Sequence, residues 1–235
     1  MLTPELFAKV FDMAVLAPDT REAAIRAACA QAKDVDVAAL YTNPCWTPVV
    51  ADELAGSGVR TGVALGFPYG TTTLRTKLAE AEEALAAGGT ALDMVINIGA
   101  LKDGNLALVR DEVRGLVELC RGRALAKVIY EVCFLSDDEI RTLTGICVEE
   151  GVDWIKTSTG SQGLPDAHHL EVMKEGLVGS TTQLKLSGVP RQFTLAACLW
   201  MLDMGVTLIG TRSAPRLVDE YREHLARLTT STVHD

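Results

Sequence analysis

Three ionisable side chains stand inside runs that otherwise read as β-strands: Asp93 in ALDMVIN, Lys156 in VDWIKTSTG and Lys185 in TTQLKLSG. Lys127 in ALAKVIYE and Glu131 at the end of that run add two more. Lysine is seldom buried without a partner or a task. Taken singly, each lysine reads as readily as a salt-bridged barrel residue or a snorkelling rim residue as it does as a functional group. Taken together they suggest chemistry. Lys156 and Lys185 are one strand–helix repeat apart, which sets their ammonium groups at matching ends of neighbouring strands. Crowded like charges favour loss of one proton, and partial burial pushes the same way. Lowering a lysine from about 10.4 to about 7 takes roughly 4–5 kcal/mol of differential interaction, within reach of those two effects. The resulting neutral amine can attack a carbonyl to form a Schiff base. Asp93, two strands away, could carry protons to and from the carbinolamine and a substrate hydroxyl, directly or through water. Such a set of parts describes a class I aldolase, a chemistry that uses no metal and no cofactor.

These residues must be held by a scaffold, and the chain supplies a regular one. Strand-like runs fall at 9–16, 36–42, 60–66, 90–97, 125–131, 152–156, 181–185 and 206–210. Between them lie amphipathic stretches: DTREAAIRAACAQAK as the first crossover helix, TLRTKLAEAEEALAAGG, LALVRDEVRGLVELCRG and SDDEIRTLTGICVEEG. In the second of these, Leu74, Leu78, Ala81 and Leu85 keep the helical period and Gly88-Gly89 ends it. Ser136 is placed to cap the last, with acids in its first turn. Strands and helices alternating at intervals of about thirty residues predict right-handed βαβ units and a parallel sheet. An open doubly wound sheet and a closed barrel both satisfy that order. Eight strands, the chain length and the lack of a G-x-G-x-x-G or P-loop run favour a single (β/α)8 TIM barrel over residues 1–235. Residues 3–8 would form a short N-terminal helix plugging its bottom. The active site would then gather at the C-terminal ends of the strands.

Composition narrows the partners. The 235 residues are 48% hydrophobic, enough for a substantial core, and carry a net charge of −9. That field repels phosphate backbones and anionic membranes, so neither nucleic acid nor a membrane is expected as a partner. No apolar run is long enough to span a bilayer, and MLTPELFAKV is not a secretory signal. The six cysteines (Cys29, Cys45, Cys120, Cys133, Cys147 and Cys198) show no C-x-x-C pair and read as the reduced thiols of a cytoplasmic protein.

The runs FDMAVLAPD, LGFPYG, LDMVINIGALKDG, KVIYE, DWIKTSTG, LKLSGVPR and LIGTRSA make the sequence recognisable. In order and spacing, over roughly residues 9–225, it resembles the deoxyribose-phosphate aldolase family. The resemblance implies Lys156 as the Schiff-base lysine, Lys185 as the neighbour that depresses its pKa, and Asp93 as the proton-shuttling carboxylate. Asp12 matches a supporting aspartate of the first strand, and Lys127 and Glu131 match positions that line the site. The implied reaction is reversible cleavage of 2-deoxy-D-ribose 5-phosphate to acetaldehyde and D-glyceraldehyde 3-phosphate. A small aldehyde or sugar phosphate is thus the implied partner, together with a homo-oligomer, dimer or tetramer.

Several positions depart from that family. Its first-strand Asp-His-Thr is Asp12-Met13-Ala14 here, and its second-strand cysteine is Tyr41. The family holds phosphate with a Ser-Gly-Gly turn and a Gly-Thr-Ser-Ser turn, whose backbone N–H groups suit an anion. Here the turns read Ser187-Gly188-Val189-Pro190 and Gly210-Thr211-Arg212-Ser213. Val189 restricts φ and Pro190 has no N–H to donate. Arg212 either pairs with the phosphate, marks a different anion such as a carboxylate, or points into solvent. Two rivals follow: an aldolase of the same mechanism acting on another phosphorylated or carboxylate-bearing aldehyde, and a catalytically silent barrel that binds a ligand. Other features are read as structural. His168-His169 sit side by side near a helix start and do not face one site. Cys29, Cys120, Cys147 and Cys198 read as small core residues, and Trp46, Trp154 and Trp200 as packing. Tyr69 and Thr71–Thr73 could edge the pocket. His224 and His234 fall in the polar C-terminal stretch, whose last residues, LTTSTVHD, are frayed or fold over the pocket.

Overall fold

Along each strand the residues alternate in chemistry, and the alternation assigns the two faces of the sheet. In β1 (Phe11–Val15), Phe11 and Met13 join the main apolar core while Asp12 turns to the opposite face. The pattern repeats in β2 (Ala39–Thr42), β3 (Arg60–Leu65), β4 (Ala91–Val95) and β5 (Leu125–Ile129), where Leu40, Val63, Leu92 and Val128 face the core. It continues in β6 (Trp154–Lys156), β7 (Gln183–Ser187) and β8 (Leu208–Gly210) with Ile155, Leu184 and Ile209. All eight strands pair in parallel with their sequence neighbours, and β8 closes on β1. The computed structural model is therefore a closed (β/α)8 barrel; it describes residues 2–190 and 192–231, with side chains through 228.

The helices are α1 (Pro4–Ala8), α2 (Glu22–Val35), α3 (Thr47–Leu54), α4 (Leu74–Ala86), α5 (Ile98–Lys102), α6 (Leu106–Cys120), α7 (Asp137–Glu150), α8 (Ala167–Glu175), α9 (Leu195–Asp203) and α10 (Ala214–Ser231). Their ends follow local chemistry. Ser136 and Glu139 form a reciprocal capping box at the start of α7, and Gly151 (φ 79°) closes it in the left-handed conformation. Thr73 caps α4 through its hydroxyl. None of the described helices is long and apolar enough to cross a membrane.

Some expectations shift in detail. The α1 helix lies at the N-terminal ends of β2 and β3 and also packs on α10. Phe7 stacks on Tyr221 of α10, ring centroids 3.9 Å apart, and the Tyr221 hydroxyl donates to the Leu2 carbonyl. Lys9, capping α1, donates to the carbonyls of Val37 and Gly58 just ahead of β2 and β3. β7 begins and ends later than the run 181–185, because its ladder with β8 continues through Leu186–Ile209 and Ser187–Gly210. Lys185 thus lies in mid-strand. α3 and α5, each a few residues long, went unforeseen. Trp200 is 52% exposed on α9 and does not pack in the core, unlike Trp46. The tail residues through 231 belong to α10; 232–235, His234 among them, lie outside the described residues.

A buried ion pair ties two crossover helices to the top of the barrel. Lys77 of α4 and Glu112 of α6 are both fully buried, 2.7 Å apart. Lys77 also donates to the Val95 carbonyl, and the second Glu112 oxygen accepts from the Asn97 N–H. Glu80 of α4 accepts from the Gly66 N–H. The ends of β3 and β4 are fixed by this network, which on β4 begins two residues beyond Asp93. Burial opposes both charges, pulling Lys77 down and Glu112 up, so the pair survives by mutual contact. Lys77→Met should strand the Glu112 carboxylate and cost about 3–5 kcal/mol in denaturant unfolding, while Lys77→Met with Glu112→Leu should recover much of it. A single variant as stable as the parent would remove this network from the account.

Candidate active site

The inward positions of the strands carry few large apolar groups. Ala39, Ala91 and Tyr41, with Ala14 and Leu125, form a small cluster separate from the main core. The remaining inward space belongs to charge. Register sets Asp93 beside Lys127 on β5, and Lys156 on β6 directly beside Lys185 on β7. Lys156 Nζ lies 2.9 Å and Lys185 Nζ 2.7 Å from the same atom, Asp93 Oδ2, so the two ammonium nitrogens are no further apart than those distances combined. Lys185 also reaches Asp12 Oδ2 at 2.7 Å, and Lys127 reaches it at 3.0 Å. The five residues form one buried cluster, none more than 5% exposed.

Three lysines and two aspartates leave one positive charge in excess when all are ionised. Desolvation penalises that excess, and the cluster becomes neutral once a single lysine gives up its proton. Geometry singles out Lys156. Lys156 and Lys185 both line the cavity of about 380 Å³ at the C-terminal end of the barrel, and Lys127 does not; of the two that do, Lys156 contacts one carboxylate and Lys185 two. Burial, aided by the Lys185 ammonium and opposed by Asp93, lowers Lys156 to about 8. Burial also pulls on Lys185, but Asp12 and Asp93 outweigh it and hold that lysine above its usual value. Lys127 is lowered by burial against the pull of Asp12. Both carboxylates resist burial through their lysines and stay below the usual carboxylate range, Asp93 far below. Burial is thus the larger cause at Lys156, and the crowding expected from Lys185 is a lesser one.

Asp93, Lys127 and Glu131 lie beneath or beside the cavity rather than among its lining residues. Glu131 has φ 56° and accepts from the Thr159 N–H and hydroxyl, which ties the turn after β5 to the loop after β6. Thr157, which sequence reasoning missed, does the same between β6 and β7: its hydroxyl donates to the Ser187 carbonyl and accepts from the Ser187 N–H. That bond pair is invisible in sequence, since Thr157 reads as an ordinary member of IKTSTG.

At the outer end the cavity is walled by Ser187, Gly188, Gly210, Thr211, Arg212 and Ser213. Gly188 (φ 84°) and Gly160 (φ 82°) pack backbone to backbone: a Cβ at Gly188 would stand 3.3 Å from the Gly160 Cα and one at Gly160 3.2 Å from the Gly188 Cα, so a side chain at either position would be strained. Val189 and Pro190 line the same end. Arg212 is exposed and makes no salt bridge with any described residue. α10 starts just beyond it, so the N-terminus of a long helix faces this end.

Residues read as structural behave variously. Cys29, Cys120, Cys147 and Cys198 are buried, Cys45 and Cys133 exposed, and all six are free thiols. His169 Nδ1 accepts from the Asp166 N–H in a capping box, while His168 pairs with Asp137. Tyr69 is exposed and away from the cavity, which the neighbouring Phe67 lines instead. Trp154 donates to the Thr207 hydroxyl, and the Lys127 ammonium sits 5.2 Å from its ring centroid.

Known proteins agree with this architecture. Residues 7–196 match the family model described as DeoC/LacD family aldolase. A deoxyribose-phosphate aldolase of Clostridium tetani is 37% identical over 213 residues, covering 90% of this chain and 97% of its own. One from Geobacillus sp. is 38% identical, covering 90% and 94%. Among solved structures, an aldolase called QR15 superposes with a TM-score of 0.86 at 29% identity, over 94% of this chain and 98% of its own. The deoxyribose phosphate aldolase of Aeropyrum pernix, described as a unique tetramer, gives 0.84 at 27% identity, over 94% and 92%. With a family match spanning most of its length and relatives above one-third identity, the chain belongs to the DeoC/LacD family of aldolases.

Proposed function

We propose that this aldolase cleaves and forms 2-deoxy-D-ribose 5-phosphate through a Schiff base on Lys156, exchanging it with acetaldehyde and D-glyceraldehyde 3-phosphate. The observation that carries the reading is a lysine at the cavity wall, lowered to about 8 and in contact with a buried carboxylate. Neutral Lys156 Nζ attacks the aldehyde carbon of the open-chain sugar, and loss of water from the carbinolamine gives an iminium. The bond between C2 and C3 then breaks as a base takes the C3 hydroxyl proton, and the electron pair moves into the enamine. The iminium is the electron sink that lowers this barrier. Protonation at C2 and hydrolysis release acetaldehyde and restore the amine.

Asp93 is the proton carrier in this scheme. Its Oδ1 is buried with no hydrogen-bond partner among the described residues, while Oδ2 stays with the lysines. Lys185 remains charged and, with Asp12 and Lys127, keeps the carboxylate in place; Glu131 holds the Thr159 loop. The anionic end of the substrate meets the turns at Ser187-Gly188 and Gly210-Thr211-Arg212-Ser213, where the exposed Arg212 guanidinium offers charge-assisted hydrogen bonds. Pro190 and Val189 favour a second reading of the acceptor, another phosphorylated or carboxylate-bearing aldehyde handled by the same chemistry. Free thiols support a cytoplasmic setting, and the tetramer of the Aeropyrum pernix enzyme supports a homo-oligomer.

Borohydride reduction in the presence of acetaldehyde should place one mass adduct on the peptide that holds Lys156, and Lys156→Arg should abolish it. An adduct on Lys127 or Lys185 would reject the assignment. Below pH 8 the amine is mostly protonated, so the rate of imine trapping should climb about tenfold per pH unit and level off above 8. A profile flat from pH 5 to 9 would contradict a titrating Lys156. Arg212→Ala should raise KM for the phosphorylated sugar by about 10–100-fold, the worth of a charged hydrogen bond, and leave turnover of unphosphorylated deoxyribose unchanged. Equal effects on both sugars would take Arg212 out of anion binding.

A further inference from the structure

Tyr41 occupies the middle of the charged cluster, and the chemistry above gives it no task. Its ring is 2% exposed and sits where three ammonium groups meet. Lys185 Nζ is 4.1 Å from the ring centroid, Lys127 Nζ 5.1 Å and Lys156 Nζ 5.7 Å. All three fall within the roughly 6 Å over which an aromatic face attracts a cation, and the attraction weakens with distance. The fold makes room for the ring deliberately: a Cβ at Gly62, its register partner on β3, would stand 2.7 Å from ring carbons. The groups facing Tyr41 come from six strands: Asp12 of β1, Arg60 of β3, Asp93 of β4, Lys127 of β5, Lys156 of β6 and Lys185 of β7.

We propose that the face of the Tyr41 ring is a positioning element for the reaction: it favours the charge on Lys185, the nearest ammonium, and leaves Lys156, the furthest, as the amine that gives up its proton. Two further observations support this. The cluster has two carboxylates for three lysines, so aromatic faces add stabilisation for its cations; Trp154 lies near Lys127, while Tyr41 is the face near all three. The ring also lines the cavity beside Lys156 and keeps water from the cluster, and desolvation is the larger cause of the lowered lysine. The phenol itself is not required by the argument. Its oxygen is buried, and that burial, followed by the Asp93 and Asp12 carboxylates and a side-chain interaction with Asp93, keeps it protonated.

The inference concerns the same lysines as the proposed Schiff-base reaction and rests on that reading for its functional meaning, but it is tested without turnover. Lysine side chains labelled with 13C at Cε are titrated by NMR, with Lys156 and Lys185 assigned through Lys→Arg variants. In the parent and in Tyr41→Phe, which keeps the face and loses only the phenol oxygen, Lys156 should titrate well below Lys185 with the same separation. In Tyr41→Met, which keeps apolar bulk without a π face, the separation should narrow by about one pH unit. Pentafluorophenylalanine incorporated at position 41 reverses the charge distribution of the face while keeping its shape, and should narrow the separation whether or not the methionine variant folds. A purely structural ring would shift the melting temperature without moving the separation. The proposal is overturned if the fluorinated ring or methionine leaves the separation at its parent value, or if Tyr41→Phe narrows it equally. Borohydride trapping run in parallel keeps the two claims apart: a missing Lys156 adduct with the titration order intact would defeat the Schiff-base reading alone.

Discussion

An unbalanced charge enclosed in a barrel is the constraint on which the rest of the molecule depends. Lys127, Lys156 and Lys185 face Asp12 and Asp93 in space that water hardly reaches. Ionised groups in such surroundings persist only in close, well-made contacts, and the distances of 2.7–3.0 Å among these five provide them. The surplus is resolved by releasing one proton, and the surrounding contacts decide which lysine releases it. Lys185, gripped by two carboxylates, keeps its charge. Lys156, held by one and set at the cavity wall, becomes the reactive amine. Reactivity here follows from electrostatic arithmetic more than from any special property of the lysine.

Holding that arithmetic steady is the work of the barrel. Charges on six inward positions would spoil a two-layer sandwich, but a closed ring of strands lets Ala39, Ala91, Gly62 and Gly210 give space while the outward faces supply the apolar core. The loops above are joined in pairs. Lys77 and Glu112 brace the end of β4 and Glu80 the end of β3, Glu131 binds the β6 loop through Thr159, and Thr157 links β6 to β7 at Ser187. Each tie uses a buried or half-buried polar group whose partner lies on a neighbouring unit, so a displacement of one strand end is felt by the next.

Much of this was legible in the sequence, for a physical reason. A charged residue inside a period-two apolar run declares itself, so Asp93, Lys156 and Lys185 could be picked out before any coordinates. The eight strands and the long amphipathic helices were equally plain, since periodicity is their own signal. Short elements were not: α3 and α5 are too brief to show a period, and the extent of β7 depends on its ladder with β8. The weight of burial against crowding at Lys156 was hidden too, because it depends on how completely the ring of strands excludes water. Tyr41 stood out in the sequence only as a departure from the family's second-strand cysteine, with no role attached. It reads as a common strand aromatic, and only closure of the barrel brings three lysines from distant parts of the chain onto its face.

The reactive centre and the anion-binding end are built from different materials, and this has a consequence for substrate choice. Lys156, Lys185, Asp93 and Asp12 belong to strands and are fixed by register, so changing any one disturbs a buried charge balance. Val189, Pro190 and Arg212 belong to loops whose outer faces meet solvent. A substitution there changes which N–H groups and charges meet the substrate, at little cost to the barrel. Departures from the family's phosphate turns can therefore accumulate without touching the amine, and the guanidinium of Arg212 can replace backbone donors that proline and valine remove. The same partition explains why the reaction class follows from the strands while the acceptor aldehyde must be decided at the loops.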